Sequence, residues 1–142
     1  MSVNTVRIRV RYPEVDRMNV VHHSHYAVWF EIGRTELMRG LGVPYAKLEA
    51  ANLFMPVIEL GVRYRVSVRY DEEVDLDSFI EDLKGARIRF GYRLKRPSDG
   101  RLMADGFTVH AGINEKGTPV RFPPELREAL QAAVAPPLEG AS

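Results

Sequence analysis

The stretch Tyr12–Arg39, YPEVDRMNVVHHSHYAVWFEIGRTELMR, concentrates the residue types that do chemistry. Two carboxylates, Glu14 and Asp16, and three imidazoles, His22, His23 and His25, stand directly ahead of an apolar segment with Tyr26, Trp29 and Phe30. A carboxylate supplies a base or a nucleophile. The start of a helix supplies unpaired backbone N–H groups and partial positive charge. Together these are the parts needed to attack a carbonyl and to stabilise the oxygen that becomes negative. A turn of about six or seven residues separates Asp16 from the apolar segment, enough to fold the carboxylate back over the helix start.

Other chemistries find less support. The chain has no cysteine, which removes disulfides, thiol nucleophiles and cysteine-based zinc sites. Ser24 lacks the flanking glycines of a nucleophile elbow. Histidines one and two residues apart on a loop do not pre-form a metal site, so no metal is expected, and His110 lies far away in a strand. A net charge of +1 and arginines without interleaved aromatics argue against a nucleic-acid partner. No apolar run is long enough to span a bilayer, and the first residues lack a signal-peptide core. The reading is a cytoplasmic chain without membrane insertion. At 142 residues, 45% of them hydrophobic, it can bury a core as one domain over 1–134. Residues 135–142, rich in Pro, Gly and Ala, read as a flexible tail.

The elements that must position these residues follow from periodicity. Thr5–Tyr12 alternates Val6, Ile8, Val10 and Tyr12 against Arg7, Arg9 and Arg11, the period of a half-buried strand. Tyr26, Trp29, Phe30, Gly33, Leu37 and Leu41 recur at helical steps, which predicts a helix over about Ser24–Gly40, with Ser24 as its N-cap or else His23 or Asn19 starting the turn. Gly33 inside it costs ~1 kcal/mol relative to alanine, so close packing against a sheet is expected there. Pro44–Ala51 reads as a short helix. Val57–Tyr70, Val74–Leu83, Arg87–Lys95 and Leu102–Ile113 read as strands, and Pro123–Val134 as a terminal helix. Short links between consecutive strands favour an antiparallel meander. The class is α+β: a five-stranded antiparallel sheet wrapped around a long central helix.

That element order, with these residues, resembles the hotdog fold. More narrowly it is similar to acyl-CoA thioesterases of the 4-hydroxybenzoyl-CoA thioesterase type, including the Tol-Pal-associated bacterial group. The similarity spans about Val6 to Pro124 and is carried by Tyr12, Glu14, Asp16, Asn19, Val20, Val21, Tyr26, Glu31 and Arg34, with Pro56-Val57-Ile58 and Gly106–His110 as further matches. Asn19 departs from the family's usual glycine, and asparagine is the next most tolerant residue of a left-handed backbone.

The resemblance implies hydrolysis of acyl-CoA to a free acid and CoA. Asp16 would be nucleophile or general base, a backbone amide near His23 or Ser24 the oxyanion donor, and His23 a catalytic, thioester-positioning residue. It implies substrate or CoA contacts at Ser24, Tyr26, Val57, Ile58, Lys84 and Arg87, and no cofactor beyond the CoA of the substrate. It implies a homodimer with sites between protomers, paired along the strand that starts at Val57, and a homotetramer as a dimer of dimers. Plainer roles stand beside these. Asp16 could be a turn-former, Glu14 structural or solvated, His23 a pocket wall, and Tyr26, Trp29 and Phe30 core. Glu31 would be a buried helix residue partnered by Arg34. A binding module for acyl-CoA or acyl carrier protein, or an enoyl-thioester hydratase, are the competing functions, and the acyl group is left open.

Overall fold

The computed structural model describes residues 2–135. Strands β1 (Val3–Arg9), β2 (Val57–Tyr64), β3 (Glu73–Lys84), β4 (Arg87–Lys95) and β5 (Leu102–Ala111) form one antiparallel sheet. Helices are α1 (Ser24–Gly40), α2 (Tyr45–Ala50) and α3 (Pro124–Ala132). No helix among the described residues is long and apolar enough to cross a membrane.

The sheet wraps α1, as a single apolar helix requires. Phe30 stacks on Tyr92 of β4, with ring centres 4.2 Å apart. Tyr26 meets Tyr64 of β2 edge-on at 4.8 Å. Gly33 lets the helix backbone approach β3: a Cβ there would fall against Ser78 Oγ and 2.8 Å from Leu76 Cδ2. The close packing expected at that glycine is therefore present.

Strand order is β1-β3-β4-β5-β2. Only β3, β4 and β5 form a meander; β2 pairs with β5 and lies at an edge, away from its sequence neighbour β3. The strand expected over Val57–Tyr70 stops at Tyr64. Arg65 and Val66 both donate their N–H groups to the Met103 carbonyl, at 2.9 and 3.0 Å, which breaks the ladder. The rest of that segment turns to the loop ahead of α1: the Val21 N–H donates to the Val68 carbonyl at 2.8 Å, and Val20 bridges Arg69. β1 likewise ends at Arg9, and Tyr12 opens a short 3-10 turn with its ring 74% exposed. On the outer face the arginines find cross-strand carboxylates, Arg7 with Asp75 at 2.9 Å and Arg65 with Asp105 at 3.0 Å.

Of the expected tail, Ala135 is buried and its N–H donates to the Ile80 carbonyl at 2.8 Å; residues 136–142 lie outside the described residues.

Candidate active site

The acidic segment forms a closed loop. Val15 bridges Val21, the Asp16 N–H donates to the Val20 carbonyl at 2.9 Å, and the Asn19 N–H donates to the Asp16 carbonyl at 3.0 Å. Asn19 takes φ 61°, the left-handed conformation the glycine of the pattern would adopt, and its Oδ1 accepts the Tyr70 N–H at 3.1 Å. Asparagine therefore preserves the turn and adds a tie to the segment after β2.

Inside this loop Asp16 Oδ1 accepts two backbone N–H groups, from Met18 at 2.8 Å and Val20 at 3.2 Å. The turn-forming role is thus real. It also fixes the carboxylate, and Oδ2 has no hydrogen-bond partner among the described residues. Asp16 faces a cleft of about 320 Å³ whose lining includes Val20, His22, His23, Tyr26 and Tyr64. The structure thus brings Asp16, His23 and Tyr26 to one space.

Glu14 is structural. It is buried, with Oε1 accepting the Arg11 N–H at 2.7 Å and Oε2 accepting the Trp29 indole N–H at 2.9 Å. Burial pushes its carboxyl up, but these donors and the Arg11 guanidinium outweigh it and hold the group below its ordinary value. Trp29 thereby ties the acidic loop to α1, a role its place in an apolar stripe conceals.

At the helix start the N-cap is His23, the alternative to Ser24. Ser24 is the first helical residue, and its hydroxyl lies 2.9 Å from His22 Nδ1 instead of capping an amide. The Ser24 N–H points to the same nitrogen at 3.3 Å, while His25 and Tyr26 donate to the His22 and His23 carbonyls. The His23 N–H has no acceptor among the described residues. The His22 and His23 rings lie against each other at a tilt of 34°, centres 4.1 Å apart. Among the described residues no group of three or more His, Asp or Glu side chains converges as a metal-ligand set. Tyr26 is buried beneath the cleft, and burial, with Tyr64 and Glu72 adding to it, pushes its phenol up to about 12.

The remaining candidates lie elsewhere in the chain. Val57 and Ile58 are exposed on the β2 edge. Val57 lines a separate pocket of about 220 Å³ with Ala27, Glu31, Arg34, Leu60 and Thr108. Lys84 and Arg87 are paired across the β3–β4 turn, in which Gly85 takes φ 61°. Register places that turn beside the start of β2, since Val57 pairs with His110 and His110 with Ile88. The cleft lies at the Tyr64 end, seven residues along the strand, or roughly 23 Å away.

Glu31 is exposed rather than buried. The Arg34 charge instead acts on Tyr92 and Tyr45, partly offsetting the burial that pushes both phenols up. Sequence reasoning missed Tyr64, whose hydroxyl donates to the His23 carbonyl at 3.3 Å. It sits about forty residues downstream, and only the strand order brings it to the helix start.

Comparison with known proteins identifies the family. The model of a family described as the thioesterase-like superfamily matches residues 10–130. The acyl-CoA thioesterase YbgC of Haemophilus influenzae is 34% identical over 126 residues, which cover 87% of this chain and 90% of that protein. The crystal structure of a DHNA-CoA thioesterase from Staphylococcus aureus has TM-score 0.87 and 31% identity, covering 93% of this chain and 91% of that one. That of the hypothetical protein TT1821 from Thermus thermophilus has TM-score 0.86 and 36% identity, covering 95% and 100%.

Proposed function

This chain belongs to the thioesterase-like superfamily, and on that premise we propose that it hydrolyses acyl-CoA thioesters to a free carboxylic acid and CoA. The observation that carries the proposal is the shared cleft: the Asp16 carboxylate and the first turn of α1 at His23 line one space. Asp16 Oδ2 is the attacking or water-activating atom. The amide of His23 or Ser24 receives the thioester oxygen, a contribution of ~3 kcal/mol for one such donor in other hydrolases. His23 positions the thioester, and Tyr26 forms the floor beneath it.

The active unit is a homodimer. β2 leaves an unpaired edge that exposes Val57, Ile58, Leu60 and Tyr64, and such an edge calls for a partner. A two-fold pairing runs the two β2 strands antiparallel. The start of one then approaches the Tyr64 end of the other. This brings Val57, Ile58 and the Lys84–Arg87 turn of one protomer toward the cleft of its mate, where the lysine and arginine meet the phosphates of CoA. Two such dimers make the tetramer. A reducing, cytoplasmic setting suits a chain without cysteine.

The test is thiol release from a panel of acyl-CoA esters by the wild type, Asp16→Asn and Asp16→Ala. Turnover by the wild type that both variants lose while staying folded is the expected result. Near wild-type turnover by either variant rejects Asp16 as the working group. Binding of acyl-CoA without release would make the chain a carrier. A monomer by light scattering rejects the shared site.

A further inference from the structure

The hydroxyl of Tyr64 reaches across from the edge strand to the first peptide of α1. Its oxygen lies 3.3 Å from the His23 carbonyl oxygen, to which it donates. That carbonyl also accepts the Tyr26 N–H at 3.3 Å. The Tyr64 ring stands perpendicular to the Tyr26 ring, centres 4.8 Å apart, and lines the cleft that Asp16 faces. Beyond Tyr64 the regular ladder of β2 fails. The residue is thus the last in regular register on the edge strand, and it rests on the helix start.

The His23 carbonyl and the Ser24 N–H belong to one planar peptide unit. Hydrogen bonds to the oxygen of such a unit draw electron density toward it and make its N–H a stronger donor. They also fix the plane of the unit and so the direction of the N–H. An amide that must meet a developing oxyanion gains from both effects. The Tyr64 phenol is the donor in this pair, since a carbonyl oxygen can only accept. The side chain itself is 52% exposed, so its hydrogen bond adds little to folding stability. In the free protein the Ser24 N–H meets only His22 Nδ1 among the described residues, at 3.3 Å, a long contact that a thioester oxygen would replace. A bond from Tyr64 that matters little for stability, yet acts on that amide, has the character of a positioning device.

We propose that Tyr64 is a positioning residue for thioester hydrolysis: through the His23 carbonyl it orients and polarises the helix-start amide that receives the thioester oxygen. This deepens the hydrolase reading and rests on it. Because Tyr64 sits on the free edge of β2, the proposal also ties the quality of the oxyanion donor to the strand expected to pair between protomers.

The experiment compares wild type and Tyr64→Phe as full chains, on the acyl-CoA ester that the wild type turns over fastest. Phenylalanine keeps the ring against Tyr26 and removes only the hydroxyl. The expected result is a kcat about five-fold lower, the effect of losing one neutral hydrogen bond. KM and melting temperature should be unchanged, and the Ser24 amide proton resonance should move upfield. An unchanged kcat overturns the proposal, and so does a kcat loss matched by lost thermal stability. The amide resonance is read without substrate. A wild type without turnover would therefore reject the hydrolase reading, while the resonance still decides whether Tyr64 polarises that peptide.

Discussion

The Trp29 indole N–H donates to Glu14 Oε2 at 2.9 Å in the protein interior, and this bond anchors the acidic loop to the central helix. Asp16 follows Glu14 by two residues, and the Glu14 carbonyl accepts the His22 N–H at 2.9 Å. The position of the Asp16 carboxylate therefore depends on a second carboxylate, buried in the interior. Both Glu14 oxygens accept N–H donors, so Glu14→Gln turns an amide NH₂ toward one of them. The expected cost is ~1–3 kcal/mol of stability, with reduced turnover as the loop loosens. The pH dependence has a defined sign. The Glu14 carboxyl is held below its ordinary value of 4.5, so its contribution is complete above that value and is lost as pH falls through the folded value. Denaturant unfolding of wild type and Glu14→Gln should converge on acidification through the carboxylate range. A gap that stays constant with pH contradicts this account.

The contact of Gly33 with Ser78 gives a second prediction. Gly33→Ala gains ~1 kcal/mol of helix propensity but forces a methyl group against Ser78 Oγ, an overpacking cost of ~1–3 kcal/mol. Ser78 is fully buried, and its hydroxyl has no hydrogen-bond partner among the described residues. Ser78→Ala should be neutral or stabilising on its own. Combined with Gly33→Ala it should recover the part of the loss due to Ser78 Oγ, leaving that due to Leu76 Cδ2 at 2.8 Å, and thermal melts of the two single variants and the double variant check this. Additive effects of the two changes would show that the methyl group is accommodated elsewhere.

What the sequence made legible was local. Trp29, Phe30, Gly33 and Leu37 share one helical face, and the helix spans Ser24–Gly40 as their spacing predicts. Alternation likewise located β4 over Arg87–Lys95. Asp16 and His23 could be brought together on paper because one loop and one helix start connect them. Pairing is not local. Nothing in Val57–Tyr64 states that β2 will lie beside β5 rather than β3, so Tyr64 was read as one more alternating residue. The end of Val57–Tyr70 carries a strand pattern, yet Val68 and Arg69 spend it on the loop before α1. Exposed Val57 and Ile58 carry a strand signal but no sign of what covers them.

Asn19 offers a third prediction, from the backbone. At φ 61° a side chain with Cβ is strained unless something compensates, and here Oδ1 holds the Tyr70 N–H. Asn19→Gly removes the strain along with the bond, so it should change stability by less than ~1 kcal/mol. Asn19→Ala keeps the strain and loses the bond, and should cost ~1–3 kcal/mol and lower turnover through Asp16. If alanine equals glycine in both measurements, the left-handed turn is not what the residue maintains.

The last prediction concerns His110, buried in β5. Its Nδ1 lies 2.9 Å from the Met55 carbonyl oxygen, which can only accept, so Nδ1 carries the proton. Nε2 then accepts from the Thr108 hydroxyl at 2.8 Å, and Thr108 Oγ1 accepts from the Tyr92 hydroxyl at 2.6 Å. A second proton on Nε2 would point at Thr108 and reverse this chain. Burial disfavours the imidazolium most; the Met55 carbonyl opposes that, and the nearby Arg34 charge adds to it, leaving the group at about 4 against an ordinary 6.5. Below 6.5 the unfolded chain therefore takes up a proton that the folded chain refuses until about 4. Stability attributable to His110 is flat above that window, falls as pH drops through it, and is lower by up to ~3 kcal/mol at its acid end. His110→Gln should lose stability at neutral pH, because the relay is broken, and should lack this slope. Urea unfolding across the window, with the variant subtracted from the wild type, measures it directly. A wild-type slope that the variant retains would assign the proton uptake to another group.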